Sequence, residues 1–380
     1  MKISDFDYNL PDEKIAVRPP EVRGNAKLLV VSKDNGDLES RKYSDLVDYF
    51  QFGDVLVLND TKVIKARLEA IKSTGGKVEL IILEKHGEGK FNRVLYKGHL
   101  KVGDELEIKN QANKVEMDSR LRGNDMSIKL KIVKILGNGI AEVESDVDLQ
   151  DIADEVGSVP IPPYLNRESD DKDVERYQTV FAKNKGSVAA PTASLNFTED
   201  LKDKLLQKGV QIVYLTLHVG LGTFLPVRED DVEKHDMHSE YFIIPEPTVK
   251  IIINAKKSGN KVFALGTTVT RTLEYASDKI FLTTEELNEA IPFPGGNQEN
   301  HPYPSFQKEG SITGDANIFI YPGYEFKIVD ALITNFHAPR STVLLLANAF
   351  AGVENLHKAY DFALVHDYKF LSYGDSMLII

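Results

Sequence analysis

The sequence predicts an α/β fold interrupted by a small antiparallel β-barrel. Three observations carry that prediction. From Lys62 to about Glu144, apolar and polar residues alternate with period two in short runs punctuated by glycine turns. Before and after this segment the pattern is mixed helix and strand, so one domain (1–61 and 149–380) is read as interrupted by another (62–148). The apolar run Val210–Leu217 reads as a buried strand that delivers His218 into a loop opened by Gly220 and Gly222. Ligand sites in α/β architectures are built at such strand ends.

At the N-terminus, apolar and polar residues alternate from Ser4 to a stop at Pro11, and Asp12–Ala16 begins a short turn cut by Pro19 and Pro20. Lys27–Val31 is a short buried strand. Ser44–Phe50 forms a helical turn, and a second strand, Val55–Leu58, ends in the polar trio Asn59, Asp60 and Thr61. Such trios are turn chemistry more often than ligand contacts. In the insert, Ile64, Ala66, Leu68 and Ala70 share one face against Val63, Lys65, Arg67 and Glu69 on the other. Further strands are expected at Lys77–Glu84, Phe91–Tyr96, Asp104–Ile108, Ile128–Ile135 and Ile140–Val143. Arg93, Lys97, His99 and Lys101 make a basic cluster, either solvated strand ends or a phosphate contact. Asp118–Asp125 has no periodicity and reads as an exposed loop.

After the insert, Leu149, Ile152 and Val156 mark one face of a helix closed by Gly157. Val159–Leu165 is too rich in proline for either element, and Asn166–Glu175 is charged and expected to be mobile. Gly186–Thr198 is a run of small and hydroxyl residues, which lets a ligand approach the backbone closely. Thr198 caps a helix that ends before Gly209. Pro247 and Gly259 bracket a helix over Thr248–Ser258. Lys261–Leu265 is a buried strand, and Gly266, Thr267 and Thr268 turn it into the next helix. That turn has the form of a backbone anion cradle, too short for a dinucleotide or P-loop fingerprint. Phe281–Gly314 is loop-rich. Strands are expected over Asn317–Tyr321 and Ala331–Thr334, the latter ending in Asn335, Phe336 and His337. Ser341 caps an apolar helix to Ala351, and Leu356–His366 continues helically.

Composition narrows the function classes. At 380 residues, with 42% hydrophobic and 27% charged, the chain suits a globular protein of one large or two ordinary domains. It has no cysteine, which excludes disulfides, thiolate zinc sites and thiol catalysis and fits a cytoplasmic protein. No run approaches the ~18 apolar residues of a membrane span, and Met1–Asp5 does not open a signal peptide. The net charge of −12 argues against a bulk electrostatic grip on nucleic acid, though a local basic face remains open. His235, His238 and Glu240 offer a metal-dependent hydrolase as a competing reading. They lack the helical spacing of the usual zinc motif, and no metal is expected.

Ordered blocks along nearly the whole chain resemble a known family. They are Pro162–Tyr164, Arg176–Val180, Gly186–Ala193, Thr216–Gly220 with Gly222–Phe224, Met237–Glu240, Gly266–Thr268, Phe319–Gly323, Thr334–His337 with Ser341 and Thr342, and Ser372–Asp375. Together they resemble the S-adenosylmethionine:tRNA ribosyltransferase-isomerases of queuosine biosynthesis. The resemblance implies a large α/β barrel-like domain with a small β-barrel inserted. It also implies a reaction. The ribosyl part of S-adenosylmethionine is transferred to 7-aminomethyl-7-deazaguanine at the tRNA wobble position and isomerised. The product is epoxyqueuosine, and adenine and methionine leave. S-adenosylmethionine is then a co-substrate and no cofactor is implied. The expected partner is the tRNA anticodon stem-loop, because unpaired loop bases are the usual target of sequence-specific RNA recognition. The protein is expected to act as a cytoplasmic monomer without a membrane.

That reaction needs a base beside the sulfonium-bearing carbon, a donor for the departing adenine and an acceptor for the amine proton. From the matching blocks, His218, His238, Glu240 and His337 are the candidate catalytic groups, His218 and the pair His238 and Glu240 first among them. Tyr321 and Phe336 are placed to hold the sulfonium or stack a base. Arg228 and Arg271 suit a carboxylate or phosphate. Thr192, Asn196, Gly220, Thr223, Thr267 and Asp375 complete the expected substrate contacts, and Arg93, Lys97 and Lys101 the RNA contacts. Two departures stand out. The family usually has Gly-Leu-His-Phe where this chain has Ser194–Phe197, and Asn196 cannot shuttle a proton near neutral pH. Lys27 stands where the family tends to have arginine, keeping the charge but losing the planar fork. A non-catalytic tRNA-binding relative is the alternative that Asn196 raises.

Overall fold

Runs of valine, leucine and isoleucine without polar alternation are stable only where both faces are covered. Four such runs form the centre of a large mixed sheet in the computed structural model, which describes residues 1–85, 91–109, 127–137, 139–220, 229–235, 237, 239–281, 305–306 and 310–380. Gln211–Leu217, Val55–Asn59, Val262–Leu265 and Ala331–Asn335 lie side by side in that order, all parallel. Leu56 is opposite Ile212 on one side and Phe263 on the other. Along this strand Val55 and Val57 join one core layer with Leu215, Ala264 and Leu332. Leu56 and Leu58 join a second layer with Phe263, Leu265 and Ile333.

The sheet reaches ten strands. Glu240–Ile244, Ile312–Ala316 and Ser305–Phe306 extend it antiparallel on one side. Ser376–Ile379, Lys27–Val31 and Leu38–Lys42 extend it on the other. Helices Glu246–Lys257, Thr267–Tyr275, Thr342–Ala351 and Val353–Val365 bury Val249, Ile252, Val269, Leu273, Leu346 and Leu356 in the first layer. Helix Glu199–Gln207 and the 3₁₀ turn Tyr43–Tyr49 bury Leu201, Leu205 and Leu46 in the second. Thr198 and Ser341 cap their helices as expected, accepting from the N–H groups of Leu201 and Leu344.

The period-two segment closes into a six-stranded antiparallel barrel. Its order is Ile140–Ser145, Phe91–Lys97, Lys77–Lys85, Arg67–Lys72, Glu105–Lys109 and Ser127–Gly137. Every second residue points inward: Leu68 and Ala70, Val78, Leu80 and Ile82, Leu106 and Ile108, Leu130 and Ile132, Ala141 and Val143. Helix Leu149–Val156 packs Leu149, Ile152 and Ala153 onto that interior. Gly157 ends it where a Cβ would stand 1.8 Å from the Lys65 carbonyl oxygen, so only glycine lets the two segments pass.

Several local expectations differ from what forms. Val63, placed on the polar face, is buried, because Thr61–Val63 leaves the barrel alternation and pairs in parallel with Asn184–Ser187. Asn317–Tyr321 is not a strand. The strand is Ile312–Ala316, and beyond it Phe319 and Tyr321 pack onto a cluster of Ile3, Phe6 and Leu345. Asn166–Glu175 is not loose chain: Asp170 caps helix Asp171–Arg176, and Arg167 grips the buried Asp173 with bonds of 2.6 and 2.7 Å. Ser376–Ile379, not expected as a strand, lies between Ala331–Asn335 and Lys27–Val31. Asp118–Asp125 and most of the loop-rich stretch (282–304 and 307–309) lie outside the described residues.

Candidate active site

Parallel strands all end on the same edge of a sheet, and there the chain must turn through loops that carry polar groups. Here that edge presents Asn59–Thr61, His218–Gly220, Gly266–Thr268 and Asn335–His337. A cleft of about 280 Å³ lies along it, bordered by Thr192, Thr267, Thr268, Asn335, Phe336 and His337 among others. Tyr164 and Ser372 also border it, and their hydroxyls are hydrogen-bonded to each other.

The polar groups of the cleft are cross-linked. Thr192 Oγ1 donates to Asn335 Oδ1 (3.0 Å), and Asn335 Nδ2 donates to the Asp375 carbonyl (3.4 Å). His337 Nε2 lies 2.9 Å from Thr334 Oγ1, its N–H donates to the Tyr360 hydroxyl (2.8 Å), and the Tyr8 hydroxyl donates to its carbonyl. Burial lowers the His337 pKa to about 3, so the imidazole is neutral near pH 7. Phe336 packs against the rings of Tyr360, Tyr368 and Phe370 and still borders the cleft.

His218 is oriented by the strand ends beside it. Its Nδ1 lies 2.8 Å from Thr61 Oγ1, and a Cβ on Gly186 would stand 2.9 Å from its Cε1, so the chain runs flat against the ring. Burial lowers the His218 pKa, and the Asp60 carboxylate acts in the opposite direction. Asn59 holds the two strand ends in register: its amide donates to the Leu217 carbonyl and accepts from the N–H groups of Leu217 and Thr61, all at 3.0–3.1 Å. Asp60 accepts from Thr216 Oγ1 (2.6 Å) and from Asn184 Nδ2 (3.0 Å). The trio therefore does more than turn the chain. It sets the position of His218, while the next residue, Val219, borders the cleft.

Glu240 and Arg271, both 6% exposed, form an ion pair of 2.6 Å. Glu240 Oε1 also accepts the Gly220 N–H (3.0 Å), and Arg271 Nη2 donates to the Ala316 carbonyl (3.2 Å). The pair ties helix Thr267–Tyr275 to the loop that follows His218, and a buried charge so placed is stabilised by its partner. His235 Nδ1 lies 3.2 Å from Glu229 Oε2 and its ring packs on Phe319. Among the described residues, no three His, Asp or Glu side chains gather as a metal would require. His238, Thr223 and Arg228 lie outside the described residues.

Asn196 and Asp375 anchor the tail. Asn196 Nδ2 donates to the Gly374 carbonyl (2.9 Å) and to Ser376 Oγ (3.3 Å). The Asp375 carboxylate accepts from the N–H groups of Lys27 and Lys369, both at 2.7 Å. Burial raises its pKa and those N–H groups lower it. Neither residue is among those that border the cleft. Tyr321 packs on Phe319 at 5.3 Å between ring centroids. In the barrel, Arg93 is in register with Glu142 and Lys97 with Glu79, and the Lys101 N–H donates to the Asp104 carboxylate. Thr334, Asn335, Tyr164 and Ser372 border the cleft without having been expected as substrate contacts, and Thr268, read only as part of an anion cradle, borders it too. The readable signal for Asn335 is a lone amide directly after an apolar strand.

Comparison with known proteins places this arrangement. The family model described as "Queuosine biosynthesis protein" matches residues 3–379. The chain belongs to the queuosine biosynthesis protein family. An S-adenosylmethionine:tRNA ribosyltransferase-isomerase of Chlorobium phaeobacteroides is 48% identical over 382 residues, covering all of both chains. A protein of the same name from Pelodictyon phaeoclathratiforme is 48% identical over 381 residues, again covering all of both. The crystal structure of S-adenosylmethionine tRNA ribosyltransferase from Thermotoga maritima is 30% identical and aligns with 99% of this chain and 100% of its own at a TM-score of 0.50. Family membership thus spans the sheet and the inserted barrel alike. It favours neither the metal-dependent hydrolase nor the non-catalytic reading, since the relatives bear transferase names.

Proposed function

We propose that this chain transfers the ribosyl part of S-adenosylmethionine to 7-aminomethyl-7-deazaguanine at the tRNA wobble position and isomerises it to epoxyqueuosine, releasing adenine and methionine. The observation that carries this reading is 48% identity, end to end, with proteins named for that transfer. The family blocks Gly266–Thr268 and Thr334–His337, with Thr192 from a third, meet along one cleft, which supports it.

Within that reading His218 takes a proton. Burial lowers its pKa and so keeps it a free base near neutral pH, and Thr61 fixes its ring. His238 is the second proton-transfer group. Glu240 acts through the Gly220 N–H and Arg271 as a positioning residue. His337 stays neutral and serves as a hydrogen-bonding wall with Thr192, Thr267 and Phe336, while Thr223 and Arg228 complete the substrate contacts. Asn196 needs no proton shuttle in this scheme, because its amide pins Gly374. Tyr321 and Asp375 act from the surrounding packing. S-adenosylmethionine is co-substrate, and no cofactor takes part. The RNA partner is the anticodon stem-loop, met in part by Arg93, Lys97 and Lys101, and the enzyme works as a cytoplasmic monomer.

A mass-spectrometric turnover assay tests the reading. Protein, S-adenosylmethionine and a stem-loop carrying 7-aminomethyl-7-deazaguanine are combined without added metal. The expected result is release of adenine and methionine with the epoxycyclopentanediol mass added to the nucleoside. Binding of both substrates without product would leave a non-catalytic relative.

A further inference from the structure

The first N–H groups of an α-helix lack intrahelical acceptors, and the helix dipole adds partial positive charge there. The nine-residue helix Thr267–Tyr275 begins at the cleft, and its cap is Gly266 at φ 103°, which has no side chain to bond those groups. The first bond back to the cap comes from the Thr270 N–H, at 3.2 Å from the Gly266 carbonyl. Thr268 adds an independent observation. It is 7% exposed, its hydroxyl has no hydrogen-bond partner among the described residues, and it borders the cleft. A Cβ on Gly266 would stand 3.7 Å from that hydroxyl, in ordinary contact, so glycine leaves a methyl-sized gap beside it. Buried hydroxyls are rarely left unpaired, and an acceptor in this space satisfies Thr268 and the helix N–H groups together.

The chemistry of the walls selects the acceptor. No Lys, Arg, Asp or Glu borders the cleft among the described residues, and His337 is neutral. Among the described residues, an anion here meets N–H groups, a hydroxyl and the helix end. That set suits a compact monoanion with two acceptor oxygens, whereas RNA phosphates are usually met by Lys and Arg.

We propose that Gly266–Thr268 binds the methionine carboxylate of S-adenosylmethionine through the first-turn N–H groups and Thr268 Oγ1. This rests on the reading of the chain as an S-adenosylmethionine-dependent transferase and assigns one end of that substrate to one turn. The carboxylate is remote from the reacting carbon, so its capture contributes binding and orientation.

Calorimetric titration of the full-length protein with S-adenosylmethionine and with its decarboxylated analogue tests this directly. The analogue is expected to bind ~10- to 100-fold more weakly, the size of hydrogen bonds to a charged group. Thr268→Val is expected to weaken S-adenosylmethionine and leave the analogue unchanged. Equal affinity of the wild type for both, within about twofold, overturns the proposal and needs no variant to fold. Equal weakening of both ligands by Thr268→Val overturns the role of the hydroxyl. Weaker stem-loop binding with the ligand preference intact would make the anion an RNA phosphate and also overturns it. Turnover without carboxylate preference removes this inference alone, and preference without turnover removes only the proposed activity.

Discussion

At the scale of single residues, protonation and orientation decide what the strand ends can do. Folded His337 takes up a proton only at about pH 3, against 6.5 when unfolded, and the cause is burial. Between those values the unfolded chain holds the extra proton, so this residue's contribution is full above about pH 6.5 and declines as the pH falls. The slope approaches about 1.4 kcal/mol per pH unit for one proton. His337→Gln, which keeps a hydrogen-bonding amide, is expected to flatten that slope in urea unfolding between about pH 4 and 6. An unchanged slope would mean that His337 is charged without unfolding. His218 gives a catalytic counterpart. Thr61→Val removes the partner of its Nδ1, and the expected result is a roughly 10- to 100-fold fall in single-turnover rate with little change in S-adenosylmethionine binding and rescue by Thr61→Ser. A fall in binding instead of rate would assign Thr61 to the ligand. Of the residues that border the cleft, His337, Thr192, Thr267 and Phe336 lie in the matching blocks and were singled out from them. The ion pair that occupies Glu240 was not, because its partner Arg271 comes from another element.

Elements show where local pattern suffices and where contact overrides it. The strands Lys27–Val31, Val55–Asn59 and Ala331–Asn335 follow directly from unbroken apolar runs buried on both faces. Asn166–Glu175 was unreadable for the opposite reason: its charges look solvated, yet Asp173 is 1% exposed and satisfied by Arg167 and the Tyr373 hydroxyl. Burial, the largest single influence, would raise the Asp173 pKa, but Arg167, the Asp170 N–H and the Tyr373 hydroxyl together outweigh it and bring the value to about 2. Its stabilising contribution is therefore present above about pH 4 and lost as the pH falls through about 2. Arg167→Ala leaves that carboxylate buried without its cationic partner and is expected to cost about 3–5 kcal/mol in urea unfolding. A loss below about 1 kcal/mol, typical of a solvated pair, would contradict the burial. Gly157→Ala drives a Cβ into the Lys65 carbonyl and is expected to destabilise by about 1–3 kcal/mol. A neutral effect in thermal unfolding would show that the helix Leu149–Val156 packs less tightly on the barrel.

For the whole molecule, charge and topology act together. A chain of net charge −12 cannot hold RNA by its average field, so any grip must come from a local face. Lys97 and Lys101 are exposed on the barrel. Replacing both with glutamate is expected to weaken anticodon stem-loop binding and to reduce the slope of log affinity against log salt by roughly two. Unchanged binding would remove the barrel from the RNA contact.

Apolar period and capping residues determined, without any tertiary information, the six barrel strands, the central sheet runs and the helix starts at Thr198 and Ser341. Those signals are local, repeating every two or 3.6 residues. The ordered family blocks determined the family. What only the tertiary structure decided is which strand ends meet. Thr61 reaches His218 across 157 positions, Asn196 reaches Gly374 across 178, and Glu240 pairs with Arg271 across 31. Such contacts follow from the order of strands in the sheet, and that order is set by how the two core layers pack, which no local spacing encodes.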